Sequence, residues 1–155
     1  MAKDHCKKSA DRLHWGNIGI ASERSPLIVK SNDTTLTDPC LLAIESARLM
    51  ADLHCENVVL IDVRRHSQVT QFIVVGSGTS DRQMYSVAED VAELGSESGH
   101  PVFQSSRERS SNWMVIDFVD VIVHIFEPNT RAYYDLESLW VDAKRVRWRR
   151  AGQGM

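Results

Sequence analysis

The chain has 155 residues, of which 43% are hydrophobic and 25% are charged. These proportions are typical of a soluble globular protein, and the length suits one domain that buries a core without metals or disulfides. No apolar stretch approaches the roughly 20 residues that a membrane-spanning helix needs, and no signal-peptide core begins the chain. We therefore expect a soluble protein of the cytoplasm.

The formal net charge of −3 is distributed unevenly along the chain. Residues 1–35 carry a net charge of +2, residues 36–140 carry −9, and the last 15 residues carry +4. The acidic middle repels nucleic-acid backbones and suits a basic protein partner, whereas the basic C-terminus suits peripheral contact with RNA. The charge pattern therefore favours a protein partner over a nucleic acid.

The distribution of apolar residues divides the chain into three parts. Residues 1–35 show no sustained period, which predicts a flexible N-terminal extension. Residues 36–146 carry the periodic patterns of a folded domain, and residues 147–155 are predicted to be a basic flexible tail. The run KRVRWRR (Lys144–Arg150) interleaves Trp148 with five cations. A solvated tail fits this run, and so does a tail that contacts RNA through phosphates and base stacking.

The first half of the domain predicts two helices separated by two strands. Asp38-Pro39 offers an N-cap followed by proline at the first position of a helix. The segments NVVLIDV (57–63) and TQFIVVG (70–76) are rich in β-branched residues and predict two strands joined by a polar link. A second helix follows, and Gly95 or Gly99 is expected to end it. Its apolar face comprises Met84, Val87, Ala88, Val91 and Leu94.

The second half of the domain predicts three strands and a last helical segment. Residues 101–104 form a weak short strand, and the segments 113–118 and 121–126 form neighbouring strands joined by a tight turn. Residues 130–140 predict one or two helical turns. The element order α-β-β-α-β-β-β-α places the chain in the α/β (α+β) class, with a mixed sheet of about five strands and flanking helices.

The turn VVGSGTSDRQ (74–83) lies where a phosphate-binding loop would be expected. It lacks the lysine of a Walker loop, and Asp81 occupies the place of the third glycine of a dinucleotide fingerprint. A nucleotidyltransferase needs two carboxylates at alternate positions to hold its metal ions, but Asp81 is followed by Arg82. We therefore predict a structural role, in which Ser80 and Gln83 form a capping box and the two glycines allow a sharp turn.

Two other groups of residues suggest a chemical interpretation. Asp117, Asp120 and His124 suggest acid–base catalysis, but no nucleophile is paired with them. Two turn carboxylates and a packed histidine explain the same residues. The neighbours His54 and Cys55 lack the spacing of metal ligands. We expect no catalytic residue, no metal and no cofactor. The enzyme alternative is a divergent metal-dependent nucleotidyltransferase, and the other alternative is an RNA-binding module.

Two long segments of the chain carry a family resemblance. They are NVVLIDVRRHSQVTQFIVVGSGTSDRQ (57–83) and NWMVIDFVDVIVHIFEPNTRAYYDLESLW (112–140). With their spacing, they resemble the ribosomal silencing factor family, also called Iojap-like proteins, from about Leu41 to Val146. The second segment is the more specific, because its aspartates, histidine, paired tyrosines and final tryptophan form a long pattern whose spacing is hard to reach by chance.

The resemblance implies a non-enzymatic factor that binds the large ribosomal subunit through ribosomal protein L-fourteen. Such a factor blocks association with the small subunit and represses translation when nutrients are scarce. The resemblance also implies a scaffold related to nucleotidyltransferases that lacks their catalytic carboxylates, and a homodimer when the protein is free.

Within the resembling segment we assign partner contacts and packing residues. The predicted partner contacts are Trp113, Phe118, Asp120, Tyr134, Glu137 and Trp140. The residues assigned to packing are Tyr133, Leu136 and Leu139. The chain departs from the family pattern at Gln71, where the family usually has an acidic residue, and at Val119, where it usually has glycine.

Overall fold

The computed structural model describes residues 38–152, so the predicted N-terminal extension lies outside the described residues. The elements are helix α1 (Pro39–Asp52), strands β1 (Glu56–Asp62) and β2 (Phe72–Ser77), helix α2 (Asp81–Glu97), strands β3 (Gln104–Ser106), β4 (Trp113–Asp117) and β5 (Val121–Phe126), helix α3 (Pro128–Tyr134), a 3-10 helix (Leu136–Trp140) and strand β6 (Lys144–Arg145). The predicted order and the mixed α+β class are confirmed, with six strands in place of about five. Among these residues, no helix is both long and apolar enough to cross a bilayer.

The six strands form one sheet in the order β3-β4-β5-β2-β1-β6. Only the central pair β2 and β5 is parallel, and the other neighbours are antiparallel. Every residue of β2 is buried, because elements cover both of its faces. The predicted hairpin of β4 and β5 is confirmed, with Trp113 opposite Phe126 and Asp117 opposite Ile122.

The sheet has two faces that are covered very differently. One face packs against α1 and α2 and forms the larger core, which includes Phe72, Val74 and Met114. We call it the closed face. The opposite face, which we call the open face, has a small core that includes Ile73 and Phe126. Among residues 38–152, the half-buried hydrophobic residues that pack against that core are Leu136 and Trp140 of the 3-10 helix, with Val59 and Trp113.

The helix boundaries follow from local chemistry. The carboxylate of Asp38 accepts a hydrogen bond from the Cys40 amide at 2.9 Å, with Pro39 at the first helical position, which confirms the predicted start of α1. Helix α2 ends after Glu97, and Gly99 follows with a φ of 80°. Gly95 lies inside α2, where an added Cβ would stand 2.1 Å from the Phe118 ring.

The position predicted for the third strand, residues 101–104, is wrong, since β3 spans Gln104–Ser106. All three of its residues are exposed at the edge of the sheet, so they carry no alternation of apolar and polar side chains. The edge pairing with β4 defines this strand, and that pairing is not visible in the local sequence.

The flexible tail predicted for residues 147–155 does not begin at residue 147, because Trp148 lies in the core of the closed face. Only 8% of Trp148 is exposed, and its indole N–H donates to the Val58 carbonyl at 3.2 Å. Its own carbonyl accepts from the Arg48 guanidinium at 2.8 Å. An indole held in this way is not available for stacking on RNA bases.

Candidate protein-binding surface

The turn between β2 and α2 is a helix start, as predicted. The Ser80 hydroxyl accepts a hydrogen bond from the Gln83 amide at 3.2 Å. The reciprocal bond shifts by one residue, because the Gln83 side-chain oxygen accepts from the Thr79 amide at 2.7 Å. The side-chain nitrogen of Gln83 donates to the Leu53 carbonyl at 2.8 Å and so ties the turn to the end of α1.

The two glycines of this turn are needed for close packing and not for an unusual backbone conformation. Neither Gly76 nor Gly78 has a positive φ. An added Cβ would lie 2.5 Å from the Met50 methyl group at Gly76 and 2.2 Å from the Met84 side chain at Gly78. The reason given for the glycines in the sequence prediction is therefore corrected, although the structural role of the turn stands.

The turn also offers little for metal chemistry. Asp81 is exposed at the first position of α2, and the exposed Arg82 follows it. Across residues 38–152 no group of three His, Cys, Asp or Glu residues stands close enough to hold a metal ion. A two-metal transfer reaction needs more than one carboxylate around its ions.

An aromatic cluster lies where the end of β5 meets α3. Trp113 is central: its ring lies 4.8 Å from Phe126, 5.1 Å from Tyr134 and 5.9 Å from His124. The Tyr133 ring meets Tyr134 edge to face at 5.0 Å. Phe126 and His124 form the buried base, whereas Tyr133 and Tyr134 are 82% and 55% exposed. We call Trp113, Tyr133 and Tyr134 the aromatic surface.

His124 is a structural member of this cluster. The Trp113 indole N–H donates to its Nδ1 at 3.2 Å, so the ring proton of the neutral imidazole resides on Nε2. Burial lowers the pKa of His124 from 6.5 to about 4, and the Asp117 carboxylate opposes that shift. This geometry supports the packed-histidine interpretation and gives no support to acid–base catalysis.

Arg131 connects the aromatic surface to the rest of the fold. Its guanidinium makes a two-pronged contact with Glu137 at 2.7 and 3.1 Å. It also donates to the Ser77 hydroxyl and to the Asn57 carbonyl, both at 2.9 Å. Because Ser77 ends β2, these bonds fix α3 and the 3-10 helix against the end of the sheet. Sequence reasoning missed Arg131, since two of its partners, Ser77 and Asn57, are distant in the chain.

The last helical segment differs from its prediction. Asp135 has a φ of 41° and therefore divides the segment into α3 and the 3-10 helix. The change of helix type turns Tyr133 and Leu139 outward, and Leu139 is 71% exposed. The assignment of both residues to packing is wrong, whereas Leu136 does pack against the small core of the open face.

The turn between β4 and β5 holds the remaining predicted contacts. Val119 has a φ of 74°, and the Asp120 amide donates to the Phe118 carbonyl at 3.0 Å, which is the bonding of a γ-turn. The Gln71 amide group donates to the Asp120 carboxylate at 2.8 Å. The neutral residue at position 71 therefore supplies a donor where an acidic residue would place a second negative charge.

The structure divides the six predicted contacts into separate places. Trp113, Tyr134, Glu137 and Trp140 lie in or beside the C-terminal segment that covers the open face. Asp120 lies at the opposite end of β5, about 20 Å away at roughly 3.3 Å for each residue of a strand. Phe118 is buried in the closed-face core, so it offers no surface for a partner.

Charge around the aromatic surface is mainly negative. Residues 127–142 include four acidic side chains and one cation, Arg131, which is paired with Glu137. Tyr133, Leu139 and Val141 add large exposed apolar side chains in the same segment. An exposed apolar and aromatic surface with a negative rim is typical of a site for a basic protein.

Comparison with known proteins gives the family. Residues 37–153 match the family model described as ribosomal silencing factor during starvation. The chain belongs to the ribosomal silencing factor family. Ribosomal silencing factors of Halalkalibacterium halodurans and Bacillus subtilis are 33% and 32% identical to it over 95 and 92 residues. The matched segments cover 61% and 59% of this chain, and 81% and 78% of those proteins.

A solved structure agrees with this membership. The crystal structure of a protein from Chromobacterium violaceum matches with a TM-score of 0.60 and 28% identity, covering 79% of this chain and 98% of the other. The resemblance inferred from the two sequence segments is therefore confirmed at the level of family and fold. A ribosomal silencing factor is a regulator, and the chain is a member of that family.

Proposed function

We propose that this silencing factor binds the large ribosomal subunit through ribosomal protein L-fourteen and blocks association with the small subunit. The observation that carries the proposal is the exposed aromatic surface within the acidic segment 127–142. Tyrosine and tryptophan are the residues that most often dominate binding energy at protein interfaces. Negative charge around them speeds encounter with a basic ribosomal protein.

The proposed mechanism is steric. A bound factor that occupies a joining face of the large subunit needs affinity for one subunit and bulk toward the other, with no chemical step. Rigid placement of the surface favours such a role, because Arg131 and the stacked rings hold its side chains in place before binding. We propose that the protein acts in the cytoplasm and represses translation when nutrients are scarce.

The direct test is calorimetric titration of purified L-fourteen with the wild-type protein and with the Tyr134→Ala variant. We expect affinity to fall by about tenfold or more, because truncation of an aromatic anchor typically costs at least 1 to 2 kcal/mol. The control is Phe103→Ala, which removes an aromatic side chain that is 71% exposed before β3, outside the aromatic cluster. Equal losses in the two variants, or no binding by the wild-type protein, would refute the proposal.

The enzyme alternative makes a different prediction. A nucleotidyltransferase using Gly76, Ser77 and Asp81 requires magnesium-dependent binding of a nucleoside triphosphate. The Ser77 hydroxyl accepts a bond from Arg131, and Gly76 is closely packed, so neither group is arranged around an open site. We expect titration with nucleotide and magnesium to show no binding, and measurable magnesium-dependent binding would favour the enzyme.

A further inference from the structure

The C-terminal edge of the sheet carries a dense run of positive charge. Five cationic side chains are exposed there within seven residues. They are Lys144, Arg145, Arg147, Arg149 and Arg150, and we call them the basic strip. Lys144 and Arg145 form β6, the strand that ends the sheet beside β1, so the strip lies on the opposite edge from β3.

The backbone of the basic strip is held in place. Arg145 pairs with Ile61 and Lys144 with Asp62, and the Val146 amide donates to the Leu60 carbonyl at 2.8 Å. Two residues later Trp148 enters the closed-face core, and its carbonyl accepts a bond from Arg48. The chain is therefore anchored within and beyond the strand, and its cations project from a fixed edge.

Most of this charge has no carboxylate partner within the described part of the chain, although the Arg149 guanidinium lies over the Trp148 ring at 5.3 Å. Arg150 alone of the five approaches a carboxylate within 4.0 Å, that of Asp52 at 3.4 Å. Asp62, which pairs with Lys144 in the strand register, is already bound by both prongs of Arg64 at 2.9 and 2.7 Å. Clustered cations without counter-charges repel one another, and an anionic partner relieves that repulsion.

We propose that the basic strip binds the phosphate backbone of RNA, as a second contact beside the proposed protein contact of the aromatic surface. This inference rests on the proposed function, since RNA is the polyanion that a large-subunit surface supplies. Four of the five cations are arginines, whose planar guanidinium groups match phosphate oxygens in pairs. The strip is distinct from the aromatic surface, because three strands of the sheet lie between β6 and the strand β4 that carries Trp113.

The side chains between the cations favour RNA over an acidic protein. Protein interfaces are dominated by exposed aromatic or aliphatic anchors, but Trp148 is buried and Val146 is half-buried. A strip of cations without such anchors suits contact with phosphates and provides no reading of bases. Binding is therefore expected to be sensitive to salt and insensitive to RNA sequence.

The experiment measures fluorescence anisotropy of a short fluorescein-labelled hairpin RNA at several salt concentrations. The test variant is Arg145→Glu with Arg147→Glu. The control is Arg82→Glu with Arg109→Glu, which makes the same change in net charge at exposed residues outside the strip. We expect the test variant to bind RNA at least about tenfold more weakly than wild type at low salt. The slope of its log affinity against log salt concentration should be smaller in magnitude by about two, and the control should bind within about twofold of wild type.

Two results would overturn the inference: no RNA binding by the wild-type protein at low salt, or equal losses in the test and control variants. Titration of L-fourteen with the test variant separates this inference from the proposed function. We expect its L-fourteen affinity to be unchanged. Wild-type RNA binding without L-fourteen binding would refute the proposed function alone. Loss of L-fourteen affinity with RNA binding retained would show instead that the strip contacts protein.

Discussion

The closed face and the open face of the sheet differ in what covers them and in what they expose. Two long helices seal the closed face around a continuous apolar core. Within the described part of the chain, the open face is covered by a short segment held by aromatic stacking and by Arg131, and this segment exposes Tyr133 and Tyr134. The difference assigns the larger core to the closed face, and we propose the aromatic surface beside the open face as the partner surface.

The closed face should show the largest loss of stability on truncation. We expect Trp148→Ala to lower the free energy of unfolding by about 3 to 5 kcal/mol, because it removes a buried indole and leaves the Val58 carbonyl without its donor. Denaturant unfolding provides the measurement, and the exposed neighbour Arg147→Ala is the control. A Trp148→Ala variant as stable as the control would mean that the C-terminus is a flexible tail after all.

This tryptophan also shows where sequence reasoning reached its limit. Local signals predicted the N-cap of α1, the Ser80 cap of α2 and the hairpin of β4 and β5, because neighbouring residues decide each of these features. Strand β6 and the burial of Trp148 were missed, since both depend on pairing with β1, far away in the chain. A run of cations around one tryptophan carries no strand pattern of its own.

The candidate site was predictable to a similar extent. The motif that contains Trp113 and Tyr134 identified two side chains that the structure brings together. The outward positions of Tyr133 and Leu139 were not predictable, because the left-handed conformation of Asp135 interrupts the helical spacing from which packing was inferred. Arg131 was missed because all four hydrogen bonds of its guanidinium reach residues on other elements.

The open face should depend on Arg131 more than on any apolar side chain that it exposes. We expect Arg131→Ala to cost about 2 kcal/mol of unfolding free energy, because it leaves the partly buried Glu137 carboxylate unpaired. Denaturant unfolding of Arg131→Ala, Glu137→Ala and the double variant measures the coupling. If the two single losses simply add, the ion pair does not hold the segment.

The open face should also respond to pH through His124. Its pKa is lower in the folded protein than in the unfolded chain, so the unfolded chain binds more protons below pH 6.5. The contribution of His124 to the free energy of unfolding is therefore fully present above pH 6.5. It falls as pH decreases toward 4, by roughly 2 kcal/mol between pH 6.5 and 5. Unfolding across that range should show this loss in wild type and not in His124→Gln. The same loss in both proteins would contradict the assignment.

The turn between β4 and β5 should give a smaller effect of the opposite sign. Val119 has a φ of 74°, a conformation that glycine adopts freely and that strains a β-branched residue most. We expect Val119→Gly to raise the free energy of unfolding by about 1 kcal/mol, after the greater freedom of glycine in the unfolded chain is included. Thermal unfolding of Val119→Gly and Val119→Ala provides the comparison. A glycine variant less stable than wild type would show that the turn is unstrained.

The most direct test of the proposed partner surface is sedimentation with purified large ribosomal subunits, at low salt and with excess factor, followed by addition of small subunits. We predict that the wild-type protein comigrates with large subunits and prevents whole ribosomes from forming. Tyr134→Ala is expected to need about tenfold more protein for either effect, although its fold is retained. A wild-type protein that fails to comigrate, or one that comigrates while subunits join freely, would contradict the account.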